Sequence, residues 1–347
     1  MWSQSCKVAP LSVAPPASPR VLVVTNMYPT PEDPTYGAFV ASQVGSLQAL
    51  GVSVEVVFIN GKRSGWEYAD APLSVRKRLR QKSFDVVHAH YGLTAFVTSV
   101  VPTPLVVSFC GDDLLGTPDG HGGITVKSRM VRWLSLIAAR RADAIICKSE
   151  ELRQVLPRVQ DRVRAQVIPN GVDVRLFRPG DRTQARRRLR LASGERVVLF
   201  PSTPTERRKR LDLAEAAVRE LEKRGVRVRL LVLHGVLPSD MPDHYWAADC
   251  LLLTSDWEGS PNVVKEALCC DLPVVSVDAG DVRRWIALTP GCHIVERSPT
   301  ALARALEEVL GGPGRVDGQH VREIIGADRV ARSILAVYCE ALKRRHR

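Results

Sequence analysis

The sequence lacks any uninterrupted apolar run long enough to cross a membrane. No stretch among its 347 residues reaches about 18 consecutive apolar positions, so we exclude a membrane-spanning helix. The eight cysteines include neither a C-x-x-C pair nor a metal-type cluster, and several lie inside apolar runs such as residues 144–147. We therefore expect buried, reduced thiols rather than a disulfide scaffold or a zinc site.

The N-terminal end also lacks the continuous apolar core of a secretion signal. Residues 1–19 are rich in Pro, Ala and Ser, and we interpret them as a flexible leader. Together with the reduced cysteines, this pattern predicts a cytoplasmic protein.

Acidic residues are too few to balance the basic ones. The chain has 49 Lys and Arg against 37 Asp and Glu, a formal net charge of +12, and 39 of the 49 are Arg. An Arg-rich surface suits phosphate and carboxylate partners, although the base composition of the source genome would produce the same excess. Because the excess is spread along the chain, it argues against a nucleic-acid partner. An anionic membrane is a better match, so we expect peripheral association with its inner face.

Short β-branched apolar runs alternate with helical stretches from residue 20 onward. This alternation predicts parallel strands covered by helices on both faces, which is a doubly wound α/β sheet. The pattern starts again near residue 196, and the two halves join near residues 169–179. Ligands of such sheets lie at the carboxyl ends of strands, and a pair of domains adds a cleft. The predicted strands are 21–24, 54–58, 85–90, 105–109, 144–147, 197–200, 228–233, 250–253 and 273–277.

Residues 254–268 are the most informative segment. Ser260 and Pro261 follow a predicted strand and resemble an N-cap and a first helical residue, so the free amides beyond them form an anion site. Glu266 lies five residues beyond Pro261, roughly 7.5 Å along the helix axis, a reach that suits the ribose of a nucleotide whose phosphate sits at the helix end. Glu258 would face whatever extends beyond the phosphate. The alternative is an exposed acidic loop with an ordinary surface pairing.

Two segments together resemble a known enzyme family. Glu258 and Glu266 have the spacing of the E-x7-E motif of retaining glycosyltransferases with the GT-B fold. Residues 168–179, I-P-N-G-V-D-V-R-L-F-R-P, are similar to the linker signature of glycosyltransferase family 4. The resemblance implies a GT-B fold, in which two Rossmann-like doubly wound domains face a central cleft. The implied parts are an acceptor-binding domain over 20–170, a nucleotide-sugar-binding domain over 171–328, and a helix over 329–347 that crosses back to the first domain.

The resemblance also implies roles for residues of the second domain. Glu258 would contact hydroxyls of the donor hexose, and Glu266 would bind the ribose. Pro261 departs from the commoner glycine-containing loop and has no N–H to donate. Backbone amides that would bind the sugar and diphosphate belong to Gly259, Ser260, Asn262, Val263 and Val264.

A basic run opens a predicted helix over 209–224. Lys209 aligns with a family lysine that neutralises the departing diphosphate, whereas the position of the family arginine holds another residue. Arg207 or Arg208 would therefore substitute for it. The alternative is a solvated helix start, although cations beside a helix N-terminus are unfavourable without an anion nearby.

Candidate residues of the first domain follow its strands. Gly37 resembles the family glycine whose backbone approaches the diphosphate, with an ordinary turn as the alternative. His90 matches a histidine that meets the donor sugar, although His88 and His90 are also spaced as a metal pair or as structural histidines. Asp112 and Asp113 follow another strand, and acceptor contact and helix capping are equal alternatives for them.

No Asp-x-Asp triad occurs, so a bridging divalent ion lacks its usual ligands. We expect no metal and no required cofactor, with a UDP- or GDP-sugar as co-substrate. The implied reaction moves a hexose to an acceptor hydroxyl (of a glycan, a lipid-linked molecule or a small molecule) with retention of configuration. The competing hypotheses are a GT-B sugar-nucleotide epimerase or hydrolase, and a non-catalytic basic binding protein.

Overall fold

The computed structural model describes residues 19–61, 63–119, 123–202 and 205–345. The predicted leader lies outside the described residues except for its last position. No helix in the described part of the chain is both long and apolar enough to span a bilayer.

The first domain is built on a six-stranded parallel sheet with the order β2-β1-β3-β4-β5-β6. Leu22 and Val24 face one core of this sheet, while Val21 and Val23 face the other. Both faces are therefore covered, which is why the strands read as continuous apolar runs. The strands are β1 (Arg20–Thr25), β2 (Ser53–Phe58), β3 (Val86–His90), β4 (Leu105–Phe109), β5 (Ala144–Cys147) and β6 (Ala165–Val167). The helices are α1 (Ala38–Ala49), α2 (Trp66–Gln81), α3 (Gly92–Thr98), α4 (Asp112–Leu115), α5 (Val126–Arg141), α6 (Glu150–Gln154) and α7 (Val159–Arg164).

The second domain repeats this architecture on a five-stranded parallel sheet with the order β11-β10-β9-β7-β8. Its strands also alternate between two cores, with Leu199 and Leu251 on one side and Val198 and Leu252 on the other. The strands are β7 (Val197–Pro201), β8 (Arg229–Leu233), β9 (Cys250–Leu253), β10 (Val274–Val277) and β11 (His293–Val295). The helices are α8 (Arg182–Arg188), α9 (Leu211–Lys223), α10 (Met241–Ala247), α11 (Asn262–Cys269), α12 (Val282–Ile286), α13 (Pro299–Gly311), α14 (Gln319–Ile325) and α15 (Ala327–Arg345), with a 3-10 turn at Arg207–Lys209.

The predicted α/β fold of two Rossmann-like domains is confirmed. Strands β6 and β11 escaped prediction because each is only three residues long and carries a polar side chain. The helix expected over 209–224 begins later, at Leu211, because Arg210 has a left-handed backbone conformation with φ of 57°. That residue separates the 3-10 turn from α9.

The chain passes between the domains twice, and the two passages lie side by side. The amide of Val172 donates to the carbonyl of Ile325, and the amide of Ala327 donates to the carbonyl of Val172. Beyond this crossing, α15 packs on the first domain, where Ile334 and Tyr338 join the core that contains Val21 and Val23. A Cβ at Gly171 would lie 2.9 Å from the Cα of Ala327, so a glycine is needed for this contact.

The carboxyl ends of the two sheets face each other across a cleft. Cys110 and Gly111, which follow β4, contact the backbone of Gly259, which follows β9. Side chains carried at these strand ends therefore meet between the domains, as expected for ligand sites of doubly wound sheets.

Candidate active site

A buried carboxylate, Glu258, lies with two cations beside the contact between the two domains. Lys209 Nζ donates to its Oε1 at 2.6 Å, Arg208 Nη1 donates to its Oε2 at 3.0 Å, and Ser255 Oγ donates to Oε1 at 2.8 Å. Burial alone would raise the pKa of Glu258, but the neighbouring ammonium and guanidinium groups outweigh it and hold the pKa below its usual value. Glu258 is therefore ionised and fixed in orientation.

The turn that carries the two cations is attached to the loop after β9. Thr254 Oγ1 donates to the carbonyl of Lys209 at 2.8 Å, and the amide of Asp256 donates to the carbonyl of Arg208 at 2.8 Å. The guanidinium of Arg208 also lies 4.9 Å from the ring centre of Trp257. These contacts, made across more than 40 positions of sequence, aim Arg208 and Lys209 into the cleft.

Arg207 occupies the same 3-10 turn but points to solvent. It is exposed, whereas Arg208 is partly buried and bonded to Glu258. Of the two arginines that the sequence left open, the structure brings Arg208 to Glu258 and leaves Arg207 exposed, and a contact of either with a diphosphate stays a prediction.

Helix α11 begins at Asn262, one residue later than the sequence pattern predicted. Its N-cap is Pro261, which makes no side-chain capping bond, so the predicted capping by Ser260 is wrong. Ser260 Oγ instead donates to Asp281 Oδ2 at 2.8 Å and accepts from Lys265 Nζ at 3.0 Å. The first amides of α11 consequently have no N-cap side chain, and they lie where an anion would be stabilised by the helix dipole.

A cavity of about 250 Å³ adjoins this helix and reaches both domains. Thr35 of the first domain lines one side, and Val263 and Glu266 of α11 line another. Tyr245 OH donates to Glu266 Oε2 at 2.8 Å. Burial raises the pKa of Glu266, and the bond from Tyr245 and the charge of Lys265 oppose that rise.

Comparison with known proteins gives a consistent result over most of the chain. The model of Glycosyltransferase Family 4 matches residues 19–176, and the model of Glycosyl transferases group 1 matches residues 149–311. The chain belongs to glycosyltransferase family 4.

Individual relatives support the family assignment. The D-inositol 3-phosphate glycosyltransferase of Nocardia farcinica is 27% identical, with 87% of this chain and 79% of the relative covered. Sucrose-phosphate synthase from Thermosynechococcus elongatus superposes with a TM-score of 0.75 at 16% identity, covering 94% of this chain and all of the other. HepE from Anabaena, solved with UDP and glucose, gives a TM-score of 0.65 at 14% identity, covering 91% and 98%. The two solved structures establish the GT-B fold alone.

Two glycines of this family 4 glycosyltransferase are required by close backbone contacts. Gly37 has φ of 70°, and a Cβ there would lie 2.2 Å from the carbonyl carbon of Met27. A Cβ at Gly259 would lie 2.7 Å from the carbonyl oxygen of Cys110, so this glycine lets the domains approach each other. The need for glycine at both positions is thus explained by protein contacts, and their contact with a donor stays a prediction.

The two valines of the predicted amide group have different environments. The side chain of Val263 lines the cavity, whereas that of Val264 is fully buried in the core of the second domain. Val264 is buried as a whole residue, so the contact predicted for its backbone amide stays a prediction. Asn262 Oδ1 accepts from Asn170 Nδ2 at 3.3 Å, which connects the start of α11 to the linker.

His88 and His90 are both fully buried in the first domain. His88 Nδ1 lies 2.7 Å from Tyr338 OH and its Nε2 lies 2.8 Å from Ser108 Oγ, so both of its nitrogens are occupied and its role is structural. Burial lowers the pKa of His88 to about 3 and also lowers that of His90. His90 Nε2 lies 3.1 Å from Gln43 Nε2, while Nδ1 has no partner. The predicted contact with the donor sugar would therefore have to use Nδ1.

The two aspartates after β4, Asp112 and Asp113, differ in burial and in hydrogen bonding. Asp113 is fully buried and accepts the amides of Gly92, Cys110 and Gly111, so its carboxylate holds these backbone segments together, and its predicted acceptor contact stays a prediction. Asp112 is only partly buried. Burial raises its pKa to about 6, although the charge of Arg208 across the cleft opposes the rise.

Sequence reasoning missed the side chains that hold the two glutamates. Ser255 and Tyr245 bond to Glu258 and Glu266, and no local pattern marks either of them. His234 and Gly235 line the cavity directly after β8, so the end of that predicted strand was a usable signal.

In the described part of the chain, no group of three or more His, Cys, Asp or Glu side chains could hold a metal ion.

Proposed function

We propose that this glycosyltransferase moves a hexose from a UDP- or GDP-sugar to an acceptor hydroxyl, with retention of the anomeric configuration. The observation that carries the proposal is the cluster of Glu258, Arg208 and Lys209 beside the uncapped start of α11. A diphosphate at that helix start would meet two cations. The cavity beyond it leads to Glu266, where the ribose hydroxyls would bind.

The two cations supply the electrostatic step of the proposed reaction. As the bond between the anomeric carbon and the donor phosphate oxygen breaks, negative charge accumulates on the departing diphosphate. Arg208 and Lys209, held in place by their bonds to Glu258, would stabilise that charge as preorganised cations, without a required metal ion. The acceptor oxygen bonds to the same face of the anomeric carbon, and its proton passes to the leaving phosphate.

The acceptor side of the cleft belongs to the first domain. Asp112 lies within electrostatic range of both Arg208 and Glu258, which supports it as the acceptor-binding candidate. The net charge of +12 suits a lipid-linked or polysaccharide acceptor at the inner face of an anionic membrane. We accordingly place the enzyme in the cytoplasm, peripheral to that membrane.

Replacing Glu266 with alanine should weaken nucleotide binding about 10- to 100-fold, because hydrogen bonds to a charged group contribute about 1.5–3 kcal/mol. Titration calorimetry with UDP, GDP and ADP measures the effect and identifies the base. Glu323→Ala, on the exposed surface of α14, is the matched control and should bind as the wild type does. If the Glu266→Ala variant bound each nucleotide as tightly as the wild-type protein does, the assignment of the ribose site would be contradicted.

The anomeric configuration of the product tests the proposed stereochemistry. We expect the purified enzyme to form a linkage with the anomeric configuration of its donor, measured by proton NMR of the product, and to keep its activity in chelator. An inverted linkage, or loss of all activity in chelator, would refute the proposed mechanism. Turnover of the donor without any acceptor would instead identify an epimerase or hydrolase.

A further inference from the structure

Helix α5 carries three of its large apolar side chains on the outside. Val126, Met130 and Trp133 are 72%, 57% and 62% exposed. The buried residues of the same helix are mostly small, namely Ser128, Val131, Ser135, Ala138 and Ala139. Since an amphipathic helix normally turns its large apolar residues inward, the exposure of these three side chains is unusual.

Close packing explains the small inner residues. A Cβ at Gly92 would lie 1.9 Å from Ser135 Oγ, so α3 and α5 are in direct contact and leave no room for larger side chains. This packing accounts for the inner face of α5. It does not require the exposed tryptophan and methionine on the outer face, and an exposed cluster of large apolar side chains marks an interaction site.

Helix α2 shows the same feature on the other side of α3. Trp66 is 79% exposed and Leu73 is 67% exposed, and the seven-residue spacing places them on one side of the helix. Since α3 contacts both helices, α2, α3 and α5 form one layer on the first domain. We name the outward side of this layer, with Trp66, Leu73, Val126, Met130 and Trp133, the α2–α5 face.

The α2–α5 face is also strongly basic. Helix α5 contains no acidic residue, and α2 contains two. Among the described residues, the one ion pair made by a cation of these two helices joins Arg78 to Glu55. The cations of the two helices are Arg76, Lys77, Arg78, Arg80, Lys127, Arg129, Arg132, Arg140 and Arg141.

We propose that the α2–α5 face docks on the surface of an anionic phospholipid bilayer. Exposed tryptophan, methionine and leucine side chains enter the boundary between headgroups and acyl chains, while the surrounding cations bind lipid phosphates. A second copy of this chain fits the face poorly, because a two-fold contact would oppose the same unpaired cations. Charge complementarity therefore selects the membrane as the occupant.

The position of the face bears on the reaction. Helices α2 and α5 begin beyond the carboxyl ends of β2 and β4, so Trp66 and Val126 lie at the end of the domain that borders the cleft. A lipid-linked acceptor held in the bilayer would thus be presented beside the acceptor side of the cleft. The docking assigns a face to the peripheral membrane association of the proposed function, and this last step also rests on the proposed transfer reaction.

Vesicle sedimentation with the full chain tests the proposal. The wild-type protein should pellet with vesicles of equal parts phosphatidylglycerol and phosphatidylcholine, should remain in solution with phosphatidylcholine alone, and should be released by salt. Met130→Glu combined with Trp133→Glu should reduce the vesicle-bound fraction by about tenfold or more. The matched control is Val159→Glu with Val163→Glu on α7, where the residues are 64% and 77% exposed and the vesicle-bound fraction should not change.

Equal sedimentation of the α5 variant and the wild type would overturn the proposal, as would equal binding to neutral vesicles. A wild-type dimer that the α5 variant converts to a monomer, measured by analytical ultracentrifugation, would assign the face to a second copy instead. A Lys209→Met chain should bind vesicles as the wild type does. Failure of docking and failure of the proposed transfer reaction are therefore observed separately.

Discussion

Replacing Lys209 with methionine is expected to lower kcat by about 100- to 1,000-fold, the range found when one preorganised charge-stabilising donor is removed from an active site. The Nζ of Lys209 lies 2.6 Å from a carboxylate at the mouth of the proposed diphosphate site, so the variant loses a cation where charge would develop. The effect should appear in kcat more than in KM, because the charge is greatest in the transition state. Steady-state kinetics with a saturating acceptor measures it.

Arg207→Met provides the matched control for this prediction. Arg207 belongs to the same 3-10 turn and carries the same charge, but it is exposed and separate from the cluster around Glu258. Its replacement should change kcat by less than about twofold, since an exposed charge is screened by solvent and salt. Similar losses in both variants would show that general basicity, and not the placement of Lys209, drives the reaction.

The fold was predictable because its signals are local. Runs such as those of β1 and β4 are β-branched and buried on both sides, and each was located from the sequence to within about a residue. The positions of Glu258 and Glu266 are also set locally, because Glu258 lies in the loop after β9 and Glu266 lies in the helix that follows it; their contact with one donor stays a prediction.

Contacts between distant parts of the sequence were not predictable. Whether Arg207 or Arg208 reaches Glu258 depends on bonds to Thr254 and Asp256, which belong to another strand end. Ser260 does not cap helix α11, because its hydroxyl donates to Asp281, which lies 21 positions further along the chain. Propensity favours Ser as an N-cap, but the partly buried carboxylate of Asp281 competes for the same hydroxyl.

Asp113→Ala is expected to reduce the free energy of unfolding by about 3–5 kcal/mol. The carboxylate of Asp113 accepts amides of Gly92, Cys110 and Gly111 at 2.8–3.2 Å, and alanine leaves these donors without a partner beneath the cleft. Each buried donor left unsatisfied costs about 1–3 kcal/mol. Urea denaturation followed by circular dichroism gives the change.

The neighbouring Asp112→Ala variant separates stability from acceptor binding. Asp112 is partly buried and faces the cleft, so its loss should change stability by less than about 1 kcal/mol and raise the KM for the acceptor. Asp113→Ala should leave nucleotide affinity unchanged wherever the chain remains folded, because its carboxylate bonds only within the loops of the first domain. A stable Asp113→Ala enzyme with a raised acceptor KM would mean that the three amides find other partners and that Asp113 reaches the acceptor.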